Sequence, residues 1–396
     1  MAAKCYLGLA GILIHVSTVQ ALEALDEAAM SNVTGQAQGI RLTSEYDSTI
    51  KSISYFDDDG MGDADSRGGV LSLSPVRVYT PTNRPLIVEM TVGEKVRLDG
   101  STQTGLLFTN KDLPIDIEVG AIAINGNSIG GFGQNNFQIK NNLNADPSDD
   151  QVYTVDLFAG GAVGNNGISL DIDIPSSMSF DTYYDDDGVR LTSTVDFGNP
   201  FNPAAGGLKM AGLTFDLVAD GLQIGLPQIS GGSVNVYNAK IGDETLNSAA
   251  YRNINVQPGG TLLLKNAESA DENGLEMDLT LKQGSSLDYV YIAGEVDENY
   301  LAGNPGSEIF EGSATITFVD DLTVRGMRMN VDGERGLVFD FDSNTATDGV
   351  RAHLRGTDIR FDRADRAAVG VRSPSIGTID ARLHLTNNTY LQVEGH

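Results

Sequence analysis

The chain has 396 residues and a formal net charge of −28, with 54 Asp and Glu against 26 Lys and Arg, 46 glycines, one cysteine and no tryptophan. A surface this acidic repels phosphate backbones and anionic lipid headgroups, which excludes nucleic acid as a partner and favours divalent cations or basic groups. The same acidity also serves plain solubility outside the cytoplasm. The single cysteine, Cys5, sits at the extreme N-terminus, so neither disulfides nor thiol chemistry is available to the rest of the chain.

Lys4 precedes an apolar run from Cys5 to Val16 and a short polar stretch ending at Ala21. This is the pattern of a secretory signal peptide, residues 1–21, with Val19 and Ala21 as the small residues before the cleavage point and Leu22 as the first mature residue. The run is too short to span a bilayer comfortably, and Cys5 precedes the apolar core, which argues against a lipid anchor. The expectation is export across the inner membrane, to the periplasm, the outer-membrane surface or the exterior, with no transmembrane segment in the mature chain.

Residues 22–39 follow as a short helix. Leu22, Leu25, Ala29, Met30 and Val33 share one side, and Gly35 is placed to end it. The segment Leu22, Leu25, Asp26, Met30, Ser31, Val33, Thr34, Gly35, Gln36, Gly39 and Ile40 resembles the N-terminus of a family of secreted Gram-negative bacterial proteins of unknown function. Some members of that family carry a pilus-system label. The resemblance covers about twenty residues and implies an envelope or surface location and a β-rich body; it implies no catalytic residue.

From residue 40 to 396, period-two alternation takes over. GISLDIDIP places Ile168, Leu170, Ile172 and Ile174 on one face, and GLEMDLTLK does the same with Leu275, Met277, Leu279 and Leu281. PIDIEVGAIAI from 114, GLTFDLVADGLQIGL from 212 and SATITFVDDLTV from 313 read likewise. Each is expected to be a half-buried strand with one apolar face and one wet face, joined by Gly, Asn and Asp turns. The fold class is therefore all-β: an elongated, mainly antiparallel β-roll or solenoid-like sheet, with joints near 141–150 and 198–207. An outer-membrane barrel is disfavoured, because many strands carry Asp or Glu on what would be the lipid face and TYLQVEGH lacks a terminal aromatic.

Acidic turns recur. YFDDDG at 55–60 returns as YYDDDG at 183–188, and FDTYYDDDGVRL at 180 returns as FDSNTATDGVRA at 341, which suggests a repeated strand, acidic turn and strand. The first stretch continues as DDDGMGDADS, and Asp57, Asp59, Asp63 and Asp65 are the candidate ligands of a calcium ion, a hard cation that takes six to eight oxygens. EF-hand spacing is not met, since the distal Glu is missing. The second copy lacks downstream acids and reads as an exposed hairpin turn. GGFGQNN at 130 has the glycine skeleton of calcium-binding nonapeptides but stands alone, so it reads as a glycine-rich turn.

Catalytic constellations are scarce. His353 and His384 lie in strand-like text and read as sheet-surface residues. Arg351, Arg355, Arg360, Arg363, Arg366 and Arg372 form the one basic region, expected to neutralise Asp358, Asp362 and Asp365 more than to bind an acidic partner. The reading is a non-enzymatic, exported structural or adhesion-type envelope protein, pilus-associated by resemblance, with other surface proteins or surface carbohydrate as partners. A calcium-dependent binding module is the alternative, and a polysaccharide-acting enzyme using paired carboxylates ranks third.

Overall fold

The computed structural model describes residues 39–57, 67–112, 114–140, 153–161, 167–174, 177–198, 207–266, 275–296, 298–301, 304–341, 348–386 and 391–393. The expected signal peptide, the helix at 22–39 save its last residue, and the joint at 141–150 lie outside these residues, as does most of the joint at 198–207. From Gly39 onward the chain forms one compact unit.

That unit is all-β. Its strands are β1 (Ile40–Ser44), β2 (Asp47–Ile50), β3 (Ile53–Asp57), β4 (Gly69–Tyr79), β5 (Leu86–Val96), β6 (Thr102–Asp112), β7 (Asp116–Ile124), β8 (Asn127–Lys140) and β9 (Tyr153–Ala159). There follow β10 (Ile168–Asp173), β11 (Ser177–Asp186), β12 (Val189–Phe197), β13 (Lys209–Val218), β14 (Gly221–Gly225), β15 (Gln228–Ile241), β16 (Glu244–Thr245), β17 (Ser248–Val256) and β18 (Thr261–Asn266). Last come β19 (Leu275–Leu281), β20 (Ser286–Ala293), β21 (Phe310–Phe318), β22 (Leu322–Asp332), β23 (Gly336–Phe341), β24 (Gly349–Arg363), β25 (Ile379–Leu385) and β26 (Leu391–Val393). Two short helices, α1 (Glu298–Leu301) and α2 (Ala364–Ala368), interrupt them.

All 26 of these strands belong to one antiparallel sheet. It has two series, here termed lower and upper. The lower series runs β1, β5, β6, β9, β10, β13, β14, β18, β19, β22, β23, β26; the upper runs from β2 and β3 through β4, β7, β8, β11, β12, β15, β17, β20, β21 and β24 to β25, with β16 alongside β15. Registers show the two series in line with each other. β12 and β13 both lie along β15, Phe197 opposite Val234 and Met210 opposite Ile229. In the same way β21 and β22 lie along β24, Phe318 opposite Leu354 and Thr323 opposite Arg351. The chain is thus an up-and-down meander of long strands, each interrupted near its middle.

Alternation sorts the lower series into two faces. One carries the rows Val92, Leu106, Leu157, Leu170, Leu213 and Phe215, Ile224, Leu262, Leu279, Val324, partners in adjacent strands throughout. The other carries Asp156 beside Asp171, and Lys265, Glu276, Arg328, Asp340 in succession. Where the series meets the upper one, Ile174 is buried with Tyr153 and Leu208, and Val155 and Ile172 pack against them; elsewhere the expected burial is inverted. Asp171 is 1 % exposed and Arg328 3 %, whereas Val92 is 54 % exposed and Leu217 89 %. Backbone groups close over Asp171 on the polar face: the Leu98 N–H of the β5–β6 turn donates to its Oδ2 at 3.0 Å, and the Gly212 N–H, within β13, to Oδ1 at 2.9 Å. Arg97 completes the set through Nε at 3.2 Å and Nη2 at 2.8 Å, its guanidinium 4.4 Å from the Phe158 ring centre. The acids that argued against a lipid-facing sheet therefore point away from the apolar face.

In the upper series, the β20–β21 connection packs over the polar face. Val296, Tyr300 of α1 and Ile309 join Tyr237, Ala250, Val290, Ile292 and Ala364 in a buried cluster. The opposite face carries a row of rings, Phe137 to Phe180 at 6.0 Å and Phe180 to Phe197 at 5.9 Å. Two distant hairpins also meet. Asp57 Oδ2 accepts the Val331 N–H at 2.8 Å, and Asn125 Nδ2 donates to the Asp332 carbonyl at 2.7 Å. These bonds roll the sheet so that the β3–β4 hairpin touches the β22–β23 turn.

Candidate functional site

The second acidic stretch forms a two-residue hairpin turn, as expected. Asp187 (φ 46°) and Gly188 (φ 78°) take the left-handed conformations of a type I′ turn, which matches strand twist and suits Asp-Gly. The turn pairs Asp186 with Val189, and so sets Tyr183 opposite Thr192 and Asp181 opposite Thr194. All four side chains lie on the polar face of the upper series, where they line a cleft of about 530 Å³ with Lys240 and Glu295.

Asp181 is held from both sides, Oδ1 accepting from Thr194 Oγ1 at 2.7 Å and Oδ2 from Asn136 Nδ2 at 3.0 Å. The hydroxyls of Thr182 and Ser193 are 2.8 Å apart. Tyr183 lies against Gly133 of β8, where a β-carbon would stand 2.2 Å from the ring. The Arg190 guanidinium stands 4.4 Å from the Tyr183 ring centre and binds Asp185 through Nε at 2.6 Å and Nη2 at 2.5 Å. Burial, then the charge of Glu118, raises the Tyr183 phenol; the Arg190 hydrogen bonds hold the Asp185 carboxyl below its usual range. Hydroxyls, amides, one aromatic ring, the cations Arg190 and Lys240 and the carboxylates Asp181 and Glu295 make a surface for a polar, polyhydroxylated ligand.

GGFGQNN is not a turn: residues 130–136 lie inside β8. Its glycines are required by neighbours on β11, since β-carbons at Gly130 and Gly133 would collide with Tyr184 and Tyr183. The aspartates of YYDDDG drew attention in the sequence, whereas the cleft uses its first tyrosine. The density of small hydroxyl residues in Thr192-Ser193-Thr194 was the one local signal of the site.

Of the candidate calcium ligands, Asp57 ends β3 and is buried, with Val331 as a partner; Asp59, Asp63 and Asp65 lie outside the described residues. β3 and β4 close the loop at Asp57 opposite Gly69. Among the described residues no group of three or more His, Asp or Glu side chains is placed to hold a metal ion. The copy at 341 is not a hairpin. β23 and β24 do not pair with each other but follow one another along β22, Phe341 opposite Met327 and Gly349 opposite Arg325.

His353 is buried rather than on the sheet surface. Its Nδ1 stands 3.0 Å from Asp320 and its Nε2 2.7 Å from Asp380. The hydrogen bond from His353, followed by that from Arg355, lowers the Asp380 carboxyl. This clamp ties the β21–β22 turn to β25. His384 is exposed on β25. The arginine region is paired as expected: Arg360 with Asp358, Arg363 with Asp365 at 2.7 Å and Arg372 with Asp362 at 3.3 Å.

Residues 1–119 match the profile of a family described as a family of unknown function (DUF6160), which is what that stretch of the chain is similar to. No curated protein and no solved structure matches the chain. Among the described residues, no helix is long and apolar enough to cross a membrane.

Proposed function

We infer that the protein is a non-enzymatic, exported structural or adhesion-type component of the cell envelope, whose upper cleft holds a neutral sugar residue of a surface polysaccharide. The observation that carries this reading is the Tyr183 ring set beside Asp181 in a cleft of hydroxyls and amides. Fixed aromatic faces with few convergent polar groups suit sugar rings. Binding is favoured over hydrolysis because both Asp181 oxygens already accept hydrogen bonds, the state of a positioning carboxylate and not of a proton donor. The signal-like residues 1–21 support export, and pilus association rests on the resemblance at Leu22–Ile40.

The test is a panel of neutral oligosaccharides presented to the full chain and to Tyr183→Ala and Asp181→Asn. Retention of one class by the wild type, weakened tenfold or more in each variant, is expected; tenfold corresponds to about 1.4 kcal/mol. Absence of retention by folded wild type, or equal retention by Tyr183→Ala, defeats the reading. Cell fractionation with mass analysis of the mature N-terminus tests export, the expected first residue being Leu22. A calcium-dependent module is the second reading, carried by the aspartates of the first acidic stretch in the sequence; thermal melts that coincide with calcium and with chelator remove it.

A further inference from the structure

The lower series presents water with the wrong face. Across its twelve strands, one face reads Leu42, Val88, Met90 and Leu106, then Leu157, Leu170, Phe215, Ile224, Leu262, Leu279 and Met327 to Phe339, with the charged Glu94 at its edge, two residues beyond Val92 on β5. None of these residues is among the buried core, while Asp156, Asp171, Asp216, Glu276 and Arg328 on the reverse face are buried. A soluble one-sided sheet buries its apolar face and wets its polar one. Polar within and apolar without is the pattern of strands whose outer solvent is hydrocarbon.

The size of the face points the same way. Twelve strands at about 4.8 Å spacing span roughly 53 Å, and three apolar rows along each strand add about 14 Å, so the face covers roughly 700 Å². Soluble monomers seldom expose a contiguous apolar patch beyond a few hundred Å². The upper series continues this face with aromatic side chains. Tyr291, Gly312 and Phe361 are partners in adjacent strands, and Tyr251, Tyr289 and Phe310 share their side of the sheet. Tyr251, Tyr291, Phe310 and Phe361 are exposed, Phe361 at 68 %. An apolar band about 14 Å tall, bordered on one side by Tyr and Phe, is about half the hydrocarbon thickness of a bilayer and fits the acyl layer of one leaflet with its interface. A protein partner would instead call for a polar rim and for more hydrogen-bonding groups than Asn110 and Tyr153, in line with Val88, and Thr104 and Glu94 at the edge supply.

We propose that the apolar face of the lower series lies against the acyl chains of a lipid bilayer, with the aromatic residues of the upper series at its polar boundary. This does not rest on sugar binding, which uses the opposite face of the sheet. The two are read by different ligands.

Because the chain has no tryptophan, a single introduced indole reports its own surroundings. Leu262 and Leu263 are consecutive on β18 and point to opposite faces, Leu262 between Ile224 and Leu279, Leu263 between Gln223 and Asp278. Full-length Leu262→Trp and Leu263→Trp are refolded from urea into vesicles of phosphatidylcholine brominated on its acyl chains. In protein that has regained a β-sheet circular-dichroism spectrum, the indole emission of Leu262→Trp is expected to fall at least twofold relative to unbrominated vesicles, and that of Leu263→Trp to change little. Equal responses of the two variants, or a folded chain that stays out of the vesicles on flotation, overturn the proposal. A second copy as occupant is recognised by a dimer in lipid-free buffer in which the indole of Leu262→Trp is shielded from acrylamide, and that outcome overturns it too. Fractionation of cells expressing the unmodified chain gives an independent arm: retention in membranes through alkaline carbonate is expected, and recovery in the soluble supernatant contradicts the proposal.

Discussion

Arg97 with Asp171 and Arg360 with Asp358 are the same chemical pair in two surroundings. The first is nearly closed off, with side chains 10 % and 1 % exposed; the second stands at 25 % and 55 %. Asp171 accepts from Leu98 and Gly212 N–H groups as well as from Arg97, whereas Asp358 is exposed at an irregularity within β24, with φ 53°. A covered ion pair costs desolvation, so its removal by halves leaves an uncompensated charge; an open pair is screened and worth little. The difference teaches that the Arg97–Asp171 pair of the lower polar face is a structural element, while the Arg360–Asp358 pair of the C-terminal arginine region belongs to the solvated surface.

The largest expected effect comes from breaking the covered pair. Arg97→Met strands Asp171 and is expected to cost about 3–5 kcal/mol in urea unfolding, with only part of that recovered in Arg97→Met/Asp171→Leu, because the Leu98 and Gly212 N–H groups then lose their acceptor. If the single variant loses less than about 1 kcal/mol, the two pairs are equivalent and the comparison collapses. Next is Asp57→Ala, which leaves the Val331 N–H without its acceptor and is expected to cost about 1–3 kcal/mol. Acid sharpens the contrast. Burial alone would raise the Asp171, Asp332 and Asp362 carboxyls, but hydrogen bonds outweigh it and hold all three below the usual carboxylate range. Their stabilisation is therefore complete above the unfolded value of about 4 and is lost as pH falls through the lowered folded values. Thermal melts at about pH 6 and pH 3 should show a smaller drop for Arg97→Met/Asp171→Leu than for the wild type. The smallest effect is that of Arg360→Ala, expected within about 1 kcal/mol and vanishing in high salt.

The strands themselves were legible. GISLDIDIP and GLEMDLTLK become β10 and β19 because alternation is a local property of the chain. Which face is covered was not legible, since a period of two says that the faces differ and not which one meets water. Asp187-Gly188 announced its turn because two left-handed residues are cheapest there, and no distant partner is needed. The glycines of GGFGQNN answer instead to Tyr183 and Tyr184, about fifty residues on, and His353 answers to Asp320 and Asp380 on other elements. Asp57 stood among its neighbours as one of a cluster, yet its partner Val331 is 274 residues away. The candidate cleft was missed for the same reason: β8, β11, β12 and β15 assemble it only after pairing.

The bond between Asp57 and Val331 also bears on the order of assembly. In the meander each long strand is laid beside the one synthesised just before it, so that registration needs only short loops to close. A chain threaded through a pore from its N-terminus can then add rungs as they emerge, with β1 to β5 waiting for no later segment. The joint at Val331 is the exception, unavailable until nearly the whole length has been delivered. Trapping a stalled chain that ends before residue 322 should therefore give a sheet that is registered but not yet rolled shut.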